Sequence, residues 1–90
     1  MNPIEHVRRR GKLRLEFTKN FDGIINQAKN NESTKNLPLN LMVSEYTKTL
    51  KNQYIGTEAG NRIIETYKVD KKQISELIEQ AAEITIKRFS

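Results

Sequence analysis

Apolar residues recur along this chain at two spacings. From Lys12 to Phe17 the sequence reads K-L-R-L-E-F, a strict alternation of polar and apolar positions. As a β-strand it carries Lys12, Arg14 and Glu16 on one face and Leu13, Leu15 and Phe17 on the other. A lone strand cannot satisfy its edges, and no second strand is visible in the sequence. The pattern therefore predicts pairing with the same strand of a second copy, a homodimer held by a two-stranded ribbon. A ribbon with one basic face suits the DNA major groove.

Elsewhere the spacing is helical. Asn2-Pro3-Ile4-Glu5 carries start signals for a short helix that Gly11 breaks. Phe21, Ile24, Ile25 and Ala28 form a stripe for a helix that Thr18 or Asn20 caps and Asn30-Asn31 ends. Residues 30–37 read as a polar loop. Pro38 suits the first turn of the next helix, whose apolar face is Leu39, Val43, Tyr46, Leu50 and Tyr54, with Gly56 as its stop. Thr57 caps a shorter helix using Ile63, Ile64 and Tyr67. Asp70 and Gln73 make a capping box, with Val69 stapling onto Ile74, and Leu77, Ile78, Ala81 and Ala82 continue that face towards Phe89. Lys87 and Arg88 suit the helix C-terminus electrostatically.

Charge sharpens this picture. Of the net +5, residues 1–20 hold +4, with six basic side chains against Glu5 and Glu16; residues 21–90 hold +1. Concentrated positive charge suits a polyanion, nucleic acid first. Ninety residues make one small domain, which buries only about 60 % of its unfolded surface. Without cysteine there is no disulfide or Cys-ligated metal to reinforce it, so dimerisation is the remaining common remedy. No apolar run exceeds three residues, so the chain reads as cytoplasmic, with no membrane span.

Residues 12–54 resemble the ribbon-helix-helix DNA-binding family (the MetJ/Arc class): the strand K-L-R-L-E-F, then Phe21, Ile25 and Ala28, then the second helix. The resemblance implies a mostly α fold whose N-terminal strand pairs across a dimer. It divides the chain into a basic leader (1–11), a DNA-binding unit (12–55) and a C-terminal helical extension (56–90). It makes Lys12, Arg14 and Glu16 the base-contacting residues, Lys and Arg donating to guanine and Glu accepting from cytosine. Arg8, Arg9 and Arg10 would hold phosphates, as would Asn40 at the start of the second helix. The loop at 30–38 is longer than that family's usual turn. Plasmid-partition adaptors of this fold look similar in having a basic leader, a longer loop and extra C-terminal helices. The function implied is sequence-specific binding to repeated duplex DNA sites, as a repressor or partition adaptor.

Other readings compete. Leu13, Phe17, Phe21, Ile24 and Ala28 also fit one continuous helix from Pro3 to Asn30, and the rival function is an all-helical interaction adaptor or inhibitor whose basic N-terminus docks on an acidic protein. Residues 62–78 can be laid over a helix-turn-helix, with Lys68 at the turn, Ile74 packed inside, and Lys71, Lys72 and Gln73 facing DNA. Ile64 is large for that motif, and Lys68 sits where Gly is favoured because φ is positive. Glu76, Glu79 and Glu83 share a helix face that suits a protein partner better than DNA. His6 is the sole histidine; Ser33, Ser44, Ser75 and Ser90 have no base at motif spacing, and the four glycines form no phosphate loop. The expectation is a non-enzymatic protein without metal or cofactor.

Overall fold

The computed structural model describes residues 3–90 and, among them, contains helices and no β-strand. The expected ribbon is therefore corrected. K-L-R-L-E-F lies inside α1, a single helix over Pro3–Lys29, and α2 (Leu39–Tyr54), α3 (Glu58–Tyr67) and α4 (Lys71–Phe89) follow. Sequence range decides between the two periods. Alternation organises six residues, whereas steps of four connect Leu13, Phe17, Phe21 and Ile25, all buried. In a helix those four lie close to one line, and one face buries them together. Leu13 is 2 % exposed and Leu15 is 52 % exposed, so only one of the two is core. The expected inner strand face, Leu13, Leu15 and Phe17, does not exist.

Gly11 does not break α1. Arginine, lysine, leucine and glutamate around it are good helix formers, enough to carry a residue that costs about 1 kcal/mol relative to Ala. Thr18 is no cap: it lies in mid-helix, buried, with its hydroxyl donating to the Arg14 carbonyl at 2.8 Å. The cap read at Asn2 lies outside the described residues.

The remaining elements follow their local signals. α1 ends at Lys29, and Asn31 folds the next turn by accepting from the Ser33 N–H at 2.9 Å. Thr34 ties that loop back to α1 by donating to the Ala28 carbonyl at 2.6 Å. Gly56, at φ 73°, turns the chain after α2. Thr57 caps α3 by accepting from the Gly60 N–H at 3.0 Å. Asp70 and Gln73 form the reciprocal capping box of α4, each side chain accepting from the other's backbone N–H at 2.8 and 2.9 Å.

Paired contacts give the directions. Phe21 meets Tyr46 edge-on at 5.2 Å and Phe17 meets Tyr54 at 5.8 Å, so α2 returns antiparallel along the later half of α1. Arg14 reaches Gln80 and Asp22 reaches Arg88, so α4 runs parallel to α1. α3 packs on α2 and α1. One core joins all of this, from Leu13 through Val43 and Leu50 to Ile74, Leu77, Ile78 and Ala81. At the joint between α2 and α3 the backbones approach closely: a Cβ on Gly60 would lie 1.9 Å from the Tyr54 carbonyl oxygen.

Two comparisons check this architecture by urea unfolding. Leu13→Ala should cost roughly 2–5 kcal/mol, while Leu15→Ala should stay within about 0.5 kcal/mol of the parent. Equal losses would restore the strand register. Gly60→Ala should cost roughly 1–3 kcal/mol through the collision with Tyr54. Gly23→Ala, with nothing within 4 Å of the added carbon, should stabilise by about 0.5–1 kcal/mol. A neutral Gly60→Ala would contradict the tight α2–α3 joint.

Candidate nucleic-acid interface

The helical register redistributes the basic residues around α1. Arg8 and Lys12 are four residues apart, and Lys19 falls seven beyond Lys12, so all three share the side opposite the buried stripe and all are exposed. Arg8 and Lys12 have no ion-pair partner among the described residues, while Lys19 approaches Glu16 at 3.8 Å. Arg9 lies at the flank and pairs loosely with Glu5 at 3.5 Å. Arg10 and Arg14 turn towards α4, where Arg14 donates to the Gln80 carboxamide oxygen at 2.8 Å.

The base-contacting set expected from the strand is thus taken apart. Lys12 and Glu16 stay outside on one helical edge, and Arg14 points into the α1–α4 seam. Asn40 is exposed in the first turn of α2, at the end of the molecule where α2 meets Ile24 and Ala28. Arg8 sits about 24 Å of helix away from Ile24, so Asn40 is not gathered with the three arginines.

The acidic set on α4 is exposed but not uniform. Glu79 accepts from the Lys51 ammonium at 2.6 Å, Glu76 borders the seam near Arg10 and Arg14, and Glu83 has no ion-pair partner among the described residues. A surface feature the sequence reading missed is an apolar groove of about 490 Å³ where the 30–38 loop, α1 and α2 meet. Ile24, Leu37, Leu41, Met42 and Tyr46 line it. Its signal was present in Leu41, which stands exposed beside the core residue Met42 on α2.

The α3–α4 connection has part of a helix-turn-helix geometry. Lys68 adopts φ 55° and ψ 47°, the left-handed turn such a motif needs, and Val69 behind it is buried. Two features oppose it. α3 packs on α2 and α1 rather than on α4. Gln73, one of the three residues that would face DNA, has its carboxamide engaged in the α4 cap. Lys71, Lys72 and Glu76 are exposed together, so the face is of mixed sign. No cluster of three or more metal-ligating side chains occurs among the described residues, and no described helix is long and apolar enough to cross a membrane.

The chain matches no protein-family model, no curated protein and no solved structure.

Burial, and then the neighbouring Tyr54 phenol, raise the pKa of Tyr46 above its ordinary 10.0. A raised phenol pKa means that the folded chain holds its proton more tightly than the unfolded one. This contribution is therefore complete below pH 10 and is lost as pH rises through the folded value. Stability should fall more steeply above pH 10 in the parent than in Tyr46→Phe, followed by thermal melts across alkaline pH. Identical alkaline slopes would show that Tyr46 is not held this way.

Proposed function

We propose that this protein binds nucleic acid, double-stranded DNA in the first instance, through phosphate contacts from the outward basic edge of α1. The observation that carries this reading is the pair Arg8 and Lys12, one helical turn apart, exposed, and without an ion-pair partner among the described residues. Lys19 extends the edge and Arg9 flanks it. A helix that displays cations on one side can follow a duplex backbone, and each contact gains free energy by releasing condensed counterions. The edge carries no constellation for reading bases, so the binding is electrostatic and insensitive to sequence. The exposed Glu79 and Glu83 carboxylates of α4 repel phosphate and leave their side of that helix for the solvent or another protein.

A second reading, an all-helical adaptor whose basic helix docks on an acidic protein, draws on the same edge and on the helical fold. Duplex DNA separates the two. The full chain should be retained on a random duplex at low salt, with affinity falling linearly in a log–log plot against salt concentration. Replacing Arg8 and Lys12 with Ala should flatten that slope by roughly 1.8, about 0.9 for each lost phosphate contact, and weaken all sequences alike. Absence of retention at low salt, or an unchanged slope, would overturn the DNA reading and leave the adaptor.

A further inference from the structure

Two arginines remain outside the outward edge. Arg10 and Arg14 lie one turn apart on α1 and line a cleft of about 180 Å³ in the α1–α4 seam, opposite Gln73, Glu76 and Gln80. Among the described residues neither guanidinium comes within ion-pair distance of a carboxylate, even though Glu76 lines the same cleft. Arg14 spends one N–H on Gln80. The Nε–H of Arg10 is buried and has no hydrogen-bond acceptor.

A buried donor without an acceptor is exceptional and calls for one. Two guanidiniums lining one cleft also repel, and negative charge placed between them relieves that repulsion. The single carboxylate at the cleft leaves a surplus of one positive charge, and the free N–H groups have the fork geometry that matches the oxygens of a tetrahedral anion. Leu77 forms an apolar wall, which weakens screening and strengthens any charge placed there.

We propose that this cleft is an oxyanion site that takes a phosphate group between Arg10 and Arg14, with Glu76 setting its affinity by repulsion. The terminal N–H groups of Arg10 donate to two phosphate oxygens, with the buried Nε–H behind them reporting the change in charge, and Arg14 donates to a third while Gln80 holds its guanidinium in place. Glu76 keeps the site weak and selective: an anion must outcompete its field, so chloride, which cannot accept a fork of donors, gains little. The site does not depend on the outward edge, because Arg8 and Lys12 lie on the other side of the helix.

Arginine Nε–H resonances report on it directly. Titrating the full, nitrogen-15-labelled chain with inorganic phosphate should shift the Arg10 resonance in a saturable manner in the millimolar range. Sodium chloride at equal ionic strength should leave it in place. Glu76→Gln, on an exposed residue that does not threaten the fold, should tighten phosphate binding by about fivefold, the scale of one screened charge at contact distance. A non-saturable shift, an equal response to chloride, or unchanged affinity in Glu76→Gln would each overturn the site. Adding a short duplex identifies the source of the phosphate: movement of the Arg10 resonance assigns the site to the nucleic-acid backbone, and movement of Arg8 alone assigns it to a free phosphate compound. Failure of duplex binding with intact phosphate binding would remove the DNA function and keep the oxyanion site.

Discussion

Burial of one line of side chains along α1, Leu13, Phe17, Phe21 and Ile25, is the interaction on which the rest of this fold depends. Each such residue contributes roughly 1.5–3 kcal/mol when removed from water. A domain of this kind has a net stability of about 5–15 kcal/mol, so the line is not one contribution among many. It fixes the rotation of α1, and that rotation decides which basic residues face solvent and which face α4. Ala81 and Ala82 on the opposing helix are small, which allows the two helix backbones to approach closely.

Much of the helical architecture was legible in the chain. α2, α3 and α4 could be placed because each has a local start signal and an apolar face in agreement. The capping box at Asp70 and Gln73 is a short-range device whose two bonds close within four residues, and here the apolar face of α4 agrees with it. The N-terminal third was misread for a physical reason. K-L-R-L-E-F satisfies period two and, through Leu13 and Phe17, also period 3.6. Leu15 is the only apolar residue in it that distinguishes them, and a single exposed leucine is an ordinary surface feature. The longer repeat through Phe21 and Ile25 holds the answer, and a six-residue window cannot contain it.

The candidate site was legible in composition but not in arrangement. The charge excess before residue 20 is plain in the sequence, and Arg8 and Lys12 are exposed as a phosphate-binding reading requires. What sequence alone could not supply is the division of one basic segment into two sides. Arg14, expected beside Lys12, faces Gln80 instead, because two residues along a helix turn a side chain by about 200°, whereas two along a strand return it to the same face. The cleft at Arg10 and Arg14 is a product of that turn together with a neighbour 66 positions away, which no local pattern encodes.

The parallel pairing of the first helix with the last also sets the order in which the chain can fold. Leu13, Phe17 and Phe21 are synthesised well before Ile74, Ile78 and Ala81, which complete their surroundings. Closing a loop of that length is an entropic cost that precedes the reward of burial. During synthesis α1 and α2 can pair as a hairpin with one flank still open to water, and the core closes only once α4 has emerged. The two ends of the sequence are thus joined in one cooperative unit, and a nascent chain halted at Gly56 would display its arginines to the cell before it owned a finished interior.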